Sequence, residues 1–575
     1  MKRIKKLKIS NFKAFKEEEV FDFDGKNVLI YGNNGAGKSS LFWALYTFLQ
    51  SSIKISEEEI QKYFKYFDKD IVDTHQSLLN LFMSEDQNSF IEMTSIDDNG
   101  EMHTNIISKN NINTLGNETI QELNSSSDFI NYKLLHNFYS VSHRQEVNLW
   151  SVFERDIFPF LVDDTTVVPW LEIIRNKTEN IPLTGSGAPS KGRVKDSFIN
   201  EINNLNTNIS SLLSQIEVNA NDFLKDHFFK GEDVVKVSLI FNKKFRYENI
   251  KKKLWEDGND AIRYSELQIK LMVEIFDKNT EEWIEVHRVQ SFLNEAQLTR
   301  IAIAIRIGAL RTRVQNETDF KILVLDDMLN SLDMANRVDI MRIILNKDND
   351  SRLDYFDEFQ KIILTHDKGF FDLLQRHTDD EEWVYYKFTK DETTNTAPSI
   401  KKELTNLQKA EKYFNDDEFE ACGNELRKEG EAVFSNFLDP EMKNVKKEFE
   451  SFSDKIKKAY NLTIQNKRQK FEQIFSNNGI EIEKIRMIDS DINQNPNLSE
   501  NERVALNRLK GKLFEYLIHV CEGRDVKESH INNTKEILNR VLNPASHHND
   551  NPLYREELKE AILHMQDIKD LLENN

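Results

Sequence analysis

A glycine-rich segment between an apolar stretch and a helix-forming stretch constrains this chain more than any other feature. Residues 31–40 read Tyr-Gly-Asn-Asn-Gly-Ala-Gly-Lys-Ser-Ser and contain the pattern G-x-x-x-x-G-K-S. The apolar residues 28–30 before it predict a strand, and residues 40–45 after it predict the start of a helix. This order is what a phosphate-binding P-loop requires, because backbone N–H groups of the loop and the helix N-terminus surround phosphate oxygens.

The P-loop pattern identifies the residues that are expected to contact a nucleotide. Lys38 is expected to reach the β- and γ-phosphates, and the Ser39 hydroxyl is expected to bind Mg²⁺. The other loop positions are expected to lie around the phosphates: Gly32, Asn33, Asn34, Gly35, Ala36, Gly37 and Ser40. The pattern therefore predicts a nucleotide and Mg²⁺ as ligands.

A short apolar segment that ends in two carboxylates lies far downstream of the P-loop. Residues 321–325 read Lys-Ile-Leu-Val-Leu and are followed by Asp326 and Asp327. In P-loop proteins such a strand lies beside the P-loop strand and carries the aspartate that binds Mg²⁺. We therefore expect Asp326 to bind Mg²⁺ and Asp327 to position or deprotonate an attacking water.

Three more motifs accompany this strand. Residues 293–297, Leu-Asn-Glu-Ala-Gln, open an amphipathic helix upstream of it. Ser-Leu-Asp at 331–333 follows the carboxylates, and an apolar strand at 362–364 leads to Thr-His-Asp at 365–367. The order of P-loop, signature helix, acidic strand, D-loop and switch histidine resembles an ABC-type ATPase head. The N-terminal residues 4–13 resemble the start of SMC-, RecF- and SbcC-type heads.

The resemblance implies roles for residues that the P-loop alone does not identify. Asn294 and Asp333, at the signature and D-loop positions, are expected to contact ATP, and His366 is expected to act in catalysis beside Asp327. Gln145 follows an apolar segment, where ABC heads carry a glutamine that contacts Mg²⁺ and the attacking water. An ordinary polar loop residue is the alternative for Gln145.

Two of these residues depart from the pattern of the class. Asn294 replaces the usual signature serine, but an amide can still donate a hydrogen bond to a γ-phosphate. Asp327 replaces the usual glutamate and is shorter by one methylene. A general base must come within about 3 Å of its proton or act through one water, so the shorter side chain predicts slow hydrolysis.

A narrower resemblance rests on residues 292–299, 325–337 and 364–371, which are similar to PtuA-like ATPases of the Septu anti-phage defence systems. It implies that two heads enclose ATP in a head-to-head dimer or higher homo-oligomer. It also implies that infection is sensed and that a partner nuclease, of the HNH type, is controlled. A RecF-like DNA-repair ATPase is one alternative.

Charge and cysteine content limit the class of protein. The formal net charge of −20 repels bare nucleic acid, so any contact with it would need a local basic patch such as residues 2–8 or 243–253. No apolar run reaches the about 20 residues that cross a bilayer. The two cysteines, Cys422 and Cys521, lack metal-ligand spacing and are expected to be reduced thiols in the cytoplasm.

The periodicity of apolar residues predicts four segments. An α/β ABC-type head is expected at 1–164 and 236–395, interrupted by a short helical or coiled-coil insertion at 165–235, and an all-α C-terminal domain at 396–575. In the insertion, apolar residues recur at heptad spacing from Phe198 to Ile216. A plain amphipathic helix on the core is the alternative for that stretch.

The C-terminal domain holds one candidate site for chemistry or docking. Arg540, His547 and His548 flank a proline-containing turn, and the Arg–His spacing resembles the motif of HEPN ribonucleases. An ATP-gated HEPN ribonuclease is therefore a second alternative function; a structural histidine pair before the last helix and a partner-docking surface are the other interpretations. The charged residues 426–431 are expected to be a solvated helix face.

Overall fold

A computed structural model describes most of the chain and divides it into two compact units. The described residues are 2–83, 88–131, 147–163, 168–179, 181–184, 190–247, 267–312, 320–327, 334–347, 349–379, 381–390, 398–438, 451–476, 499–522, 526–546 and 553–573. Gln145, Asp333, His547 and His548 lie outside these residues. The first unit, here called the head, comprises Met1–Leu374 and Thr378–Glu403, and the second, the helical unit, comprises Gln375–His377 and Leu404–Asn575.

The strands of the described residues all lie in the head. They are β1 Arg3–Ser10, β2 Glu19–Asp22, β3 Asn27–Gly32, β4 Phe90–Ile96, β5 Met102–Ser108, β6 Asp128–Asn131, β7 Val235–Lys243, β8 Gln268–Asp277, β9 Glu282–Glu285, β10 Ile322–Asp326, β11 Gln360–Thr365, β12 Trp383–Lys390 and β13 Pro398–Glu403. They form a six-stranded sheet in the order β13–β12–β3–β11–β10–β6, a four-stranded sheet in the order β2–β1–β4–β5 and a three-stranded sheet in the order β7–β8–β9.

The six-stranded sheet is parallel except for β13, which pairs antiparallel with β12. Its central strands β3, β10 and β11 are almost fully buried. A parallel sheet that is covered on both faces favours such continuous apolar strands. Successive residues of these strands belong to two different apolar clusters, because side chains alternate between the two faces.

The helices follow the chain through both units. They are α1 Lys38–Gln50, α2 Glu57–Gln61, α3 Glu118–Ser126, α4 Trp150–Val152, α5 Trp170–Glu179, α6 Arg193–Phe223, α7 Val289–Phe292, α8 Glu295–Thr312, α9 Met334–Ile344, α10 Lys368–Arg376, α11 Asn406–Asn415, α12 Phe419–Leu438, α13 Phe452–Ser476, α14 Glu500–Glu522, α15 Val526–Ile537, α16 Asn543–Ser546 and α17 Arg555–Glu573. None of the described helices combines the length and apolar composition that a bilayer-spanning helix needs.

The long helix α6 packs against the signature helix α8. Its heptad residues Phe198 to Ile216 are all buried, and its apolar face packs on α8 and β7 within the head. A Cβ atom on Gly308 of α8 would lie 2.7 Å from the Ile216 carbonyl oxygen, so glycine at this position permits close approach of the two backbones. The heptad face predicted from the sequence is therefore the buried face by which α6 packs within the head.

The helical unit has its own apolar core, which helices α11, α12, α13, α15 and α17 build together. Helix α11 begins with a capping box, in which Thr405 and Gln408 exchange hydrogen bonds between side chain and backbone. Cys422 is fully buried in this core, and burial raises the pKa of its thiol to about 11. Such a buried thiol with a raised pKa is expected to be inert.

Candidate nucleotide site

The register of the parallel sheet brings three sequence-distant loops to one edge. Ile30 of β3 and Asp326 of β10 both pair with Leu364 of β11. Because parallel strands end at the same edge, the P-loop after β3, the carboxylates after β10 and His366 after β11 emerge side by side. This edge is where open α/β sheets bind their ligands.

The P-loop adopts a conformation that its glycines permit. Gly35 and Gly37 have φ values of 83° and 92°, in the left-handed region where other residues are strained. Gly37 immediately precedes α1, and a Cβ atom there would lie 3.2 Å from Pro398 Cγ. The backbone conformation and the close neighbour together explain why glycine is required at this position.

Lys38 is folded back over the loop that precedes it. Its side chain is only 5% exposed, and the ammonium lies 3.5 Å from Asp327 Oδ2. The ammonium also donates to the carbonyl oxygen of Gly32 at 2.6 Å and approaches that of Asn33 at 3.4 Å. The positive charge is therefore held inside the loop, where phosphates of a nucleotide would lie.

Ser39 and Asp326 provide adjacent oxygen atoms at the predicted Mg²⁺ position. The Ser39 hydroxyl donates a hydrogen bond of 2.9 Å to Asp326 Oδ2. Hydroxyl and carboxylate oxygens are ligands that Mg²⁺ accepts in nucleotide sites. Of the three residues that the sequence assigned to Mg²⁺, the two described ones, Ser39 and Asp326, lie together and fit the ion.

Asp327 joins the lysine to the switch histidine. Its Oδ1 atom accepts a hydrogen bond of 2.9 Å from the His366 backbone and lies 2.9 Å from His366 Nδ1, while Oδ2 faces Lys38. Its own N–H donates to the Leu364 carbonyl oxygen, and its φ is 49°. Asp tolerates this left-handed conformation better than most residues, which gives a backbone reason for the short carboxylate.

Asp367, next to the switch histidine, was not singled out by the sequence. Its Oδ1 atom accepts from the Phe370 N–H at 3.0 Å and caps α10, and Oδ2 accepts from Arg337 of α9 at 2.8 Å. Burial tends to raise the pKa of Asp367, but the Phe370 hydrogen bond and the Arg337 charge outweigh it and lower the pKa. This pair ties α9, which follows the D-loop position, to the loop of His366.

Asn294 caps the signature helix. Asn294 Oδ1 accepts from the Gln297 N–H at 2.8 Å, and Gln297 Oε1 accepts from the Asn294 N–H at 3.1 Å. Within the described part of the chain, Asn294 bonds to Gln297 and not to a P-loop group. Phe292, two residues earlier, is 74% exposed.

A buried ion pair connects the signature helix to the edge of the main sheet. Arg306 of α8 and Asp128 of β6 are each 1% exposed, and Arg306 Nε donates to Asp128 Oδ2 at 3.0 Å. The Arg306 guanidinium also donates to the Asp156 carbonyl and lies 5.5 Å from the Phe160 ring centre. No sequence motif marks this pair; an arginine on the apolar face of a predicted helix is its only signal.

Arg540, the described member of the C-terminal candidate site, lies on the surface of the helical unit. Its side chain is 56% exposed and forms ion pairs with Glu557 at 3.5 Å and Glu560 at 3.1 Å, both on α17. Two carboxylates therefore share its charge. The positions of His547 and His548 relative to it lie outside the described residues.

Comparison with known proteins supports the assignment of the P-loop. The family of the P-loop-containing region of AAA domains matches residues 4–56. A comparison with curated proteins finds no match.

Solved structures that resemble the chain include the recombination mediator protein RecF and SMC head domains. The recombination mediator RecF with ATP is 14% identical, with 70% of this chain and 98% of that chain covered and a TM-score of 0.35. The SMC head domain from Thermotoga maritima is 13% identical, with 70% and 99% covered and a TM-score of 0.28. An Smc head with an extended coiled coil, bound to the C-terminal domain of ScpA from Pyrococcus furiosus, is 13% identical, with 73% and 100% covered and a TM-score of 0.32.

The matched P-loop region and the geometry of its neighbours define the class of the protein. The chain is a P-loop ATPase whose head contains a mostly parallel six-stranded sheet, and it carries an additional helical unit. Lys38, which the sequence assigned to the phosphates, lies beside Asp327, and Ser39, which it assigned to Mg²⁺, lies beside Asp326.

Proposed function

We propose that this protein is an SMC/RecF-class ATPase whose nucleotide state controls a partner nuclease in anti-phage defence. The observation that carries the ATPase part is the convergence of Lys38, Asp327 and His366 at one edge of the sheet. The defence part rests on the resemblance of the signature, carboxylate and switch motifs to PtuA-like ATPases.

In the proposed reaction, Lys38 binds the β- and γ-phosphates, and Ser39 with Asp326 holds Mg²⁺. That ion supplies positive charge to the phosphates when it is bound. Asp327 orients the attacking water and accepts its proton, and His366 fixes the carboxylate through Nδ1. Gln145 and Asp333 are proposed to complete the site.

The shape of the site favours slow turnover. Lys38 and His366 approach opposite oxygens of Asp327, so the carboxylate is held in place before a nucleotide enters. A nucleotide must draw Lys38 toward its phosphates, which frees one carboxylate oxygen for water. A carboxylate with a short side chain and little freedom suits a switch that remains in the ATP-bound state.

Two heads are proposed to enclose two ATP molecules. Each nucleotide would lie between one P-loop and the Asn294 end of α8 from the other head. The exposed Phe292 beside Asn294 supports this proposal, because an aromatic side chain at an interface is a common anchor. The dimer would then form with ATP and separate after hydrolysis.

Co-expression of this chain with its neighbouring genes tests whether it controls a partner nuclease. The full chain, tagged, is purified together with the products of adjacent genes in the presence of ATP, and the same is done with Lys38→Ala. We expect a nuclease to co-purify with the natural chain and its activity to change with the nucleotide. A chain that binds no neighbour, but hydrolyses ATP faster when DNA is added, would favour a RecF-like repair ATPase instead.

A further inference from the structure

The loop between β11 and α10 carries the side chain that contacts the proposed catalytic carboxylate. His366 Nδ1 lies 2.9 Å from Asp327 Oδ1. The His366 side chain is 34% exposed, so packing alone does not fix the direction of its ring. The position of the ring therefore depends on how firmly the backbone of this loop is held.

Asp367, the next residue, holds the backbone of this loop. Its N–H donates to Thr365 Oγ1 at 3.1 Å, and its Oδ1 atom accepts from the Phe370 N–H at 3.0 Å. The second bond caps the N-terminus of α10, where the helix dipole favours a carboxylate. The other oxygen of Asp367, Oδ2, is bound by a residue of α9.

That residue is Arg337, in the first turn of α9. Its Nη1 atom donates to Asp367 Oδ2 at 2.8 Å, and the two side chains are 14% and 31% exposed. The guanidinium also lies 6.0 Å from the ring centre of the buried Phe370. Arg337 thus contacts the capping carboxylate and the first turn of α10 together, and solvent screens this pair less than it would screen an exposed one.

Asn336, the neighbour of Arg337, attaches the same turn of α9 to the signature helix. Its Oδ1 atom accepts a hydrogen bond from Arg300 of α8. The Arg300 guanidinium in turn lies 5.7 Å from the Phe228 ring centre. Of two consecutive residues of α9, one is therefore bonded to α8 and the other to the loop of His366. The bond to α8 limits the movement of the turn that carries Arg337.

We propose that Arg337 is a positioning residue for ATP hydrolysis. Arg337 holds Asp367, Asp367 holds the backbone of the loop, and the loop holds the His366 ring against Asp327. The arginine acts through these neighbours and not on the attacking water. The inference rests on the proposed function, because it takes Asp327 as the residue that accepts the proton of that water.

A pair that only stabilises the head would behave differently from a positioning pair. Loss of a structural pair lowers the melting temperature and leaves the rate of each folded molecule unchanged. Loss of a positioning pair lowers the kcat of molecules that are folded and bind ATP with natural affinity, because Lys38 and Ser39 are left intact. The stoichiometry of fluorescent-ATP binding counts the folded molecules, so the two roles are separable.

The experiment measures ATP turnover per nucleotide-binding molecule in the full chain and its variants. Arg337→Met removes the bond to Asp367, and kcat is expected to fall about tenfold, the effect of losing one charged hydrogen bond, while the Kd for ATP stays unchanged. Arg337→Lys keeps the charge and is expected to recover part of the loss. Arg352→Met is the matched control, since Arg352 is 52% exposed and its ion pairs with Asp226 and Asp350 lie outside the nucleotide site; its kcat should be natural.

A double variant tests whether Arg337 acts through His366. His366→Ala already removes the ring that Arg337 is proposed to hold in place. Adding Arg337→Met to His366→Ala should therefore cause no further loss of kcat. Two independent effects would instead multiply, because mutations at sites that do not interact are additive in free energy.

Two results would overturn the assignment: a natural kcat in Arg337→Met, or a double variant that loses the product of the two single losses. If Arg337→Met fails to fold, Asp367→Asn decides, because asparagine keeps the cap on α10 but loses the charge that binds Arg337. A natural kcat in that variant rejects the role.

Asp327→Asn, measured beside these variants, separates this inference from the proposed function. Unchanged hydrolysis in Asp327→Asn would refute the proposed role of Asp327 and the inference with it. Slowed hydrolysis in Asp327→Asn, together with a natural kcat in Arg337→Met, would refute the inference alone.

Discussion

The head and the helical unit hold their central cations in different ways. In the head, Lys38 is almost fully buried, donates to a carbonyl of its own loop and lies beside Asp327. In the helical unit, Arg427 is about a quarter exposed and uses two of its N–H groups on neighbours. The buried cation is held between its own loop and Asp327, whereas the partly exposed one joins two helices at the surface of the helical unit.

The burial of Lys38 indicates what must change in the head when a phosphate binds. A buried charge costs free energy unless it is paired, so Lys38 must exchange Asp327 for phosphate when a nucleotide binds. The exchange would link nucleotide binding to the position of the proposed catalytic carboxylate, Asp327. The contacts of Arg427 join α12 to α16, so we expect that residue to contribute to packing of the helical unit.

The largest effect is expected from Lys38→Ala in the head. Without the ammonium, the phosphates lose their main cation, and ATP turnover should fall to background while nucleotide binding weakens severely. A turnover assay and a fluorescent nucleotide titration measure both. Lys428→Gln, a change in the helical unit, is the control and should keep full turnover; normal turnover in Lys38→Ala would remove the P-loop assignment.

A second comparison concerns buried and exposed ion pairs. Arg306→Met leaves Asp128 buried without its cation, and the free energy of unfolding of the head should fall by about 3–5 kcal/mol. Arg540→Ala removes surface ion pairs with Glu557 and Glu560 and should cost about 1 kcal/mol or less. Chemical denaturation of both variants measures the difference, and equal costs would contradict the buried pair as a structural link.

Part of this architecture could be predicted from the sequence. The P-loop and the carboxylate strand follow from local patterns of glycine and apolar residues. The adjacency of Ser39 to Asp326 also follows, because parallel strands end at one edge. These features depend on the order of motifs along the chain and on few contacts between residues that are far apart in sequence.

Other features depend on packing that no local pattern encodes. The pair of Arg306 with Asp128 joins residues 178 positions apart, and the Arg427–Asn543 bond joins residues 116 apart. The left-handed backbone of Asp327 depends on its bond to the Leu364 carbonyl in the next strand. The sequence shows that Asp327 is shorter than the glutamate usual at this position. The fold provides a left-handed backbone conformation that an aspartate can adopt.

A smaller effect is expected from His366→Ala. Asp327 would lose the Nδ1 contact at 2.9 Å but keep the backbone N–H of residue 366 and the nearby Lys38. Turnover should fall by about 10–100-fold, less than the usual loss of a general base. Steady-state ATPase rates measure it, with His366→Gln expected to retain more activity than alanine. A loss as complete as that of Lys38→Ala would make His366 itself the base.

The smallest effect concerns pH and the helical unit. Burial, with a further contribution from the stacked His530, lowers the pKa of His564 to about 4, against the opposing charge of Asp567. The unfolded chain therefore binds more protons than the folded one between about pH 6.5 and 4, so stability should fall as pH falls through this window. His564→Gln should flatten the dependence of the melting temperature on pH. An identical pH profile in that variant would assign the dependence to other groups.

The central claim is that Asp327 is the catalytic carboxylate. The most direct test measures ATP binding and ATP hydrolysis by the Asp327→Asn protein. Asparagine tolerates the left-handed backbone at position 327 and keeps the size of the side chain, but it cannot accept the proton. Hydrolysis should fall by about 10²–10⁴-fold while ATP still binds, and light scattering should show the ATP-bound assembly accumulating. Unchanged hydrolysis, or a loss of ATP binding, would contradict the assignment of Asp327 as the catalytic carboxylate.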